Sequence, residues 1–455
     1  MKAAPPPFFY QGAGGELRLL EEALDTLVEG FADLPAAGSP PARATLSAVL
    51  REVALRMRDN YPYHHPLYAG QMLKPPHPVA RLAYALSLWL NPNNHALDGG
   101  RASSAMEQEC IAQLGTMLGM QPVLGHLSSG GTTANLEALW VAGRLRPDSA
   151  VAASAQAHYT HARLSEVLGL PFVEVPATPA GRMDPAALRR ALDGGRIGTV
   201  VATLGTTGLG AVDPLADIRD LREEFGFRLH VDAAYGGYFA LASVLEPATR
   251  RHFERIGEAD SIVIDPHKHG LQPYGCGSVL FRDPAVAALY RHESPYTYFS
   301  SAELHLGEIS LECSRAGASA VALWATQKLL PLVRGGDFAG DLDKSLLAAR
   351  ALYQRLAESP KFKPLVPPEL DIVVFGVAAG DAETASRGAQ RIFAAAAREN
   401  LHLALIELPA ALVAGHWPEL ALNRDNVTCL RCCLMKPEHL DWVGRIGEIL
   451  EAVAD

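Results

Sequence analysis

Hydrophobic and polar positions follow three successive patterns along the chain. Leu17, Leu20, Leu24, Leu27 and Val28 recur at helical spacing, which predicts an amphipathic helix over residues 16–31. A Pro/Ala/Gly stretch at 34–42 breaks it, and a second helix is predicted over 44–57. Residues 61–78 are crowded with Tyr, His and Pro, including Tyr63, His64, His65, Tyr68 and His77, and follow neither the helical nor the strand period. They read as a long loop, and long ordered loops often carry function. Helices are predicted next over 80–89 and 103–117. The second has Met106, Ile111, Leu114 and Leu118 on one face and Glu107 and Glu109 turned outward.

From Val123 the period changes to strands alternating with helices. Seven short apolar runs read as strands, at 123–127, 150–154, 172–175, 199–204, 228–231, 261–264 and 278–281. Helical stretches such as 133–145 and 214–225 separate most of them, which predicts a mostly parallel sheet covered on both faces. Only a short turn precedes the seventh run, so that strand is expected to be antiparallel or displaced. A helix at 319–330 leads to Arg334-Gly335-Gly336, the expected junction with a smaller α+β unit. That unit reads as helix 341–357, strand 372–377, helix 382–399, strands 401–406 and 427–434, and helix 437–454. The expected organisation is an N-terminal helical segment (1–66), a large domain (67–334) and a small C-terminal domain (335–455).

The chemistry concentrates where apolar runs end in ionisable residues. One run ends at Asp232 and another leads to Asp265-Pro266-His267-Lys268. Ligands of open α/β sheets lie outside the carboxyl ends of the strands, so Asp232 and Lys268 are expected to face one crevice. A lysine can form a Schiff base with an aldehyde cofactor, and a carboxylate can keep a pyridine nitrogen protonated. Pyridoxal 5'-phosphate (PLP) needs both, plus an anion site. Ser128-Ser129-Gly130-Gly131-Thr132-Thr133, between a strand and a helix, suits an anion, though the same residues are ordinary capping chemistry.

Composition narrows the class. A chain of 455 residues is long enough for two or three domains. A net charge of -10 without a basic stripe argues against nucleic-acid binding. No apolar stretch is long enough for a spanning helix, the first residues lack the apolar core of a signal peptide, and six cysteines in a chain this long make no disulfide framework. A soluble cytoplasmic protein is the expectation. Cys429, Cys432 and Cys433 lie in a strand-like run, with Cys429 and Cys432 facing opposite ways, so no metal is expected there.

HVDAAYGGYF (230–239) and DPHKHGLQPYGCGSVLFRD (265–283) resemble the PLP-dependent group II amino-acid decarboxylases. So do SSGGTTANLEAL (128–139), AHYTHARLSEVLGL (157–170), VATLGTTGLGAVDPL (201–215) and LECSRAGASAVALW (311–324). The resemblance covers roughly residues 66–330. It implies the α/β fold-type I PLP-dependent transferase fold, with Lys268 carrying PLP and Asp232 on the pyridine nitrogen. Gly131 and Thr132 would bind the phosphate, Gly130 shaping the turn. His158 would stack on the ring, Ala234 would pack on one ring face, and His267 would neighbour the phosphate or the Schiff base. Thr206, preferred to Thr207, would bond the cofactor or the substrate carboxylate. The resemblance puts the 61–78 loop, His65 included, on the substrate side, although aromatic packing explains that loop as well. Arg315 could orient a substrate carboxylate or tie elements together. His161 reads as helix surface. Tyr296 and Tyr298 are the candidate proton donors.

The family's animal aromatic decarboxylases carry Asn where this chain has Asp265. The tyrosine/aspartate branch and the sphingosine-phosphate lyases share the Asp. The implied reaction is α-decarboxylation of an L-amino acid to the amine and CO2. PLP-dependent carbon–carbon cleavage, oxidative aldehyde formation and a non-catalytic PLP-fold scaffold are the alternatives. The family also implies a homodimer with a shared site, held by the N-terminal helices, with no membrane and no nucleic-acid partner.

Overall fold

The structure is a computed structural model that describes residues 13–34, 43–291 and 304–454. Four helices come first: α1 (Ala13–Glu29), α2 (Arg43–Met57), α3 (Pro78–Ser87) and α4 (Leu97–Met117). The large sheet follows. Its strands are β1 (Leu124–Ser128), β2 (Ala150–Ser154), β3 (Phe172–Val175), β4 (Ile197–Thr203), β5 (Arg228–Asp232), β6 (Ser261–Ile264) and β7 (Gly277–Phe281). Between and after them lie α5 (Gly131–Leu145), α6 (Thr160–Val167), α7 (Pro185–Leu192), α8 (Leu215–Phe225), α9 (Pro247–Phe253), α10 (Ala287–Tyr290) and α11 (Gly317–Leu329). The strand order is β1-β7-β6-β5-β4-β2-β3. β7 is antiparallel to both neighbours, as its short connection requires, and the other six strands run one way. Their carboxyl ends therefore open on a single side. β2, β6 and β7 are buried at every position, consistent with a sheet covered on both faces.

The C-terminal part holds α12 (Asp337–Glu358), β8 (Phe362–Pro364), β9 (Ile372–Val377), α13 (Ala382–Arg398), β10 (Ala404–Pro409), α14 (Ala410–Ala414), β11 (Asn426–Cys433) and α15 (His439–Val453). Its antiparallel sheet runs β10-β11-β9-β8. Along β11 alternate residues face opposite ways. Cys429 and Cys433 join the main core, whereas Cys432 joins a second core under α12, α13 and α15. The sequence pattern missed β8, only three residues long, and the short α14.

Two expectations need correction. Glu107, expected to face outward, is buried, because its carboxylate accepts bonds from Leu127 N (2.8 Å) and Asn94 Nδ2 (2.6 Å). Polar partners on two neighbouring elements override its place in the helical pattern. His161, expected on the surface of a helix, is also fully buried.

On α1, Leu20, Leu24 and Leu27 are half-buried, and the helix packs on α3, with Glu16 paired to Arg81 at 3.1 Å. α2 carries Leu46, Val49, Leu50, Val53 and Met57 on one stripe, each 48–65% exposed. Among the described residues no helix is long and apolar enough to cross a membrane.

Candidate active site

A cavity of about 370 Å³ opens at the carboxyl ends of the large sheet. Each wall comes from a strand end. After β1 the chain turns through Ser129 and Gly130 into α5. Gly130 sits at φ 155°, a conformation that favours glycine, and a side-chain carbon at Gly131 would meet Asp265 Oδ2 at 2.6 Å. The first N–H groups of α5 therefore stand bare against the cavity, with the positive end of the helix dipole. Ser129 and Thr133 hydroxyls bond each other at 2.9 Å, and Ser129 N donates to Glu312 Oε2 at 3.1 Å.

After β2 comes His158. Its Nδ1 accepts from Thr160 N at 3.2 Å, and its ring packs on Tyr159 with centroids 4.4 Å apart. Burial lowers its pKa, so it faces the cavity as a neutral ring near pH 7.

β5 ends at Asp232. Its Oδ2 accepts from His161 Nε2 at 2.8 Å, and its Oδ1 accepts from Ala234 N at 3.1 Å. Burial alone would raise this carboxyl. The His161 hydrogen bond and charge, with Lys268 and His230, outweigh it and hold Asp232 well below the usual carboxylate range. Behind His161, His230 bonds Asn135 Oδ1 at 2.8 Å, and burial keeps its pKa down at about 3. The pair is a carboxylate fixed as an anion inside the protein.

β6 leads to Asp265, His267 and Lys268. Lys268 Nζ lies 3.2 Å from Asp265 Oδ2, and His267 Nε2 lies 3.6 Å from the same oxygen. His267 Nδ1 donates to Cys276 O at 2.8 Å, and its ring packs on Tyr274, centroids 4.6 Å apart. β5 and β6 are paired neighbours, with Asp232 opposite Val263, which is why a carboxylate and a lysine from distant sequence reach one cavity.

Gly130, Gly131, Thr132, His158, Asp232, Ala234, His267 and Lys268 all line this cavity. Thr206 does not, which corrects the preference between the two threonines. Its hydroxyl closes a turn by accepting from Ala211 N at 3.1 Å, and Thr207 forms the wall instead. Arg315 is also off this cavity. Its Nη1 donates to Glu107 Oε1 at 2.9 Å and to Leu127 O, tying the segment before α11 to α4 and β1. His65 is turned away, its Nδ1 accepting from Leu67 N at 3.1 Å and its ring edge-on to Trp442. Tyr296 and Tyr298 lie outside the described residues. Sequence reasoning missed His161, Asp265 as the partner of Lys268, and Tyr274 as a wall. The spacing of His158 and His161 was the one available signal for His161.

Residues 143–378 match the model of the pyridoxal-dependent decarboxylase conserved domain. The chain belongs to the pyridoxal-dependent decarboxylases. A probable L-tyrosine/L-aspartate decarboxylase of Methanothermobacter thermautotrophicus is 31% identical over 325 residues, spanning 70% of this chain and 85% of the relative. The L-aspartate decarboxylase of Thermococcus kodakarensis is 30% identical over 343 residues, or 74% and 86% of the two chains. Among solved structures, Oryza sativa TDC with PLP and tryptamine superposes with a TM-score of 0.78 at 18% identity, covering 98% of this chain and 100% of that one. A Burkholderia pseudomallei sphingosine-1-phosphate lyase shares the fold too, with a TM-score of 0.72 at 19% identity, covering 92% of each chain. The chain is thus a PLP-dependent carboxy-lyase acting on an amino acid, in the fold-type I architecture.

The residues present fit PLP. A side-chain-free cradle lies at a helix N-terminus, an anionic carboxylate is held by a buried histidine, and a lysine stands in the same cavity.

Proposed function

We propose that the chain converts an L-amino acid to its amine and CO2 with PLP held on Lys268. The observation that carries this reading is the meeting of Asp232, kept anionic by His161, with Lys268 and the bare α5 N-terminus around one cavity. When bound, PLP supplies the electron sink that accepts the pair left on Cα as CO2 departs. In this reading Lys268 would hold the cofactor through its aldehyde. Asp232 keeps a proton on the ring nitrogen, which its depressed pKa suits. Gly131 and Thr132 would hold the phosphate through backbone N–H groups and a hydroxyl, with Gly130 shaping the turn. His158 and Ala234 confine the ring plane, and Thr207 takes the position expected of Thr206.

The substrate side chain is proposed to be acidic. Arg431 on β11 is buried and donates to Thr207 O at 2.7 Å. Its Nε has no partner among the described residues, so a cation stands directly behind the cavity wall. The name of the Thermococcus kodakarensis L-aspartate decarboxylase agrees with this choice, and that of the Methanothermobacter thermautotrophicus relative covers both tyrosine and aspartate. Carbon dioxide release from a panel of L-Asp, L-Glu, L-Tyr and L-Trp tests both parts. Release from L-Asp or L-Glu, lost in Arg431→Leu, is expected. Release from L-Tyr or L-Trp alone would discard the acidic assignment, and no release from any member would discard the decarboxylase reading.

The proposed assembly is a homodimer. The α2 stripe is too apolar to stand in water on a stable monomer, and a second copy would cover it.

A further inference from the structure

The anion cradle contains a carboxylate of its own. Asp265 lines the cavity, is 2% exposed, and lies so close to the first residue of α5 that only glycine fits there. Its Oδ2 is shared between Lys268 and His267, and its Oδ1 has no hydrogen-bond partner among the described residues. A phosphate at the α5 N-terminus therefore meets a second anion with a bare oxygen. Two like charges in one buried pocket disfavour full ionisation, and one proton between two acceptor oxygens relieves the conflict with a short, strong hydrogen bond.

We infer that this chain binds its cofactor phosphate together with one proton, taken from solvent and shared between the phosphate and Asp265. The inference rests on the cofactor reading above. The balance is simple: the free phosphate dianion and the Asp265 carboxylate enter, one solvent proton is consumed, and no other bond changes.

Other titratable groups face Asp265, and their chemistry separates from its own. From the same loop come Lys268 and His267, and across the cavity stands His158. Tyr274 and Cys276 follow in the next turn, and Tyr238 packs from below. Burial lowers both histidines, so above pH 8 they are neutral and are the other groups able to take up a proton. Burial raises the two phenols and the thiol, so they keep their protons there. The two histidines are the competing acceptors, and a variant of Asp265 distinguishes them.

The test is calorimetric titration of full-length, cofactor-stripped protein with inorganic phosphate between pH 8 and 9, where free phosphate is the dianion. Inorganic phosphate cannot react with Lys268. Two buffers of different ionisation enthalpy count the protons. The expected result is uptake approaching one proton per site, with affinity falling about tenfold per pH unit. Asp265→Asn keeps the shape and adds an N–H donor. It is expected to abolish the uptake and to bind phosphate at least about tenfold more tightly at pH 9. Uptake near zero in the wild type, a measurement that does not depend on the variant folding, would overturn the inference. So would uptake that persists unchanged in Asp265→Asn, since a histidine would then carry the proton. Protein that takes up PLP yet binds phosphate in neither form overturns it as well. Protein that takes up no PLP at all removes the cofactor reading, and the inference with it.

Discussion

His161 Nε2 donates to Asp232 Oδ2 across 2.8 Å, with both side chains buried. A hydrogen bond to a charged group is worth about 1.5–3 kcal/mol, and here it decides whether a buried carboxyl is an anion. His161→Phe fills the space without the donor. It is expected to keep PLP bound and to lower turnover roughly ten- to hundredfold, the kinetic equivalent of that energy. The acid limb of the pH–rate profile is expected to move upward, because burial then raises Asp232 against Lys268 and His230 alone. A variant with unchanged rate and unchanged acid limb would mean that Asp232 needs no help to stay ionised.

Three buried histidines, His230, His439 and His252, weaken the fold in acid. Burial holds His230 and His439 down at about 3 and His252 at about 4. In the unfolded chain each takes a proton below its ordinary value of about 6.5, whereas in the folded chain each stays neutral. Stability is therefore lost as pH falls below that value. Asp213 opposes them, because burial pushes it up to about 7 and the folded chain takes its proton first. These four groups together contribute a difference of about two protons, or roughly 3 kcal/mol per pH unit between pH 6 and 5. Urea midpoints at those two pH values check it. Equal midpoints would show that these histidines are not neutral in the folded chain.

Much of this arrangement was legible in the sequence, for a physical reason. The strands β2, β3 and β6 are short apolar runs with turns behind them, and buried strands leave that signature without help from distant residues. The positions of Asp232 and Lys268 follow from it, since ligand-facing residues lie at strand ends. What stayed hidden depends on contacts between elements. His161 looks like one more polar residue on a helix until β5 places Asp232 against it. Glu107 looks solvent-facing until β1 and Asn94 supply its hydrogen bonds. Thr206 and Thr207 are equal in sequence, and the turn to Ala211 alone separates them. Arg315 was open between two roles, and its bond to Glu107 is a contact no local pattern records.

Association is the third expectation. Leu50 and Val53 on α2 are 65% and 49% exposed on the single chain. Covering such side chains stabilises by about 1.5–3 kcal/mol each. Replacing both, as Leu50→Glu with Val53→Glu, is expected to weaken self-association by at least about 3 kcal/mol, more than a hundredfold in Kd, while the monomer stays folded. Sedimentation velocity across a concentration series reads this directly. A full-length wild-type chain that sediments as an active monomer would remove the homodimer.

The central claim is that Lys268 carries the cofactor. Borohydride reduction of PLP-loaded protein fixes the cofactor covalently on whichever lysine holds it, and peptide mass spectrometry then locates it. The expected result is the pyridoxyl mass on the peptide containing Lys268, absent in Lys268→Ala, which should stay folded but inactive. The mass on a peptide containing another lysine, such as the buried Lys74 or Lys436, would contradict it.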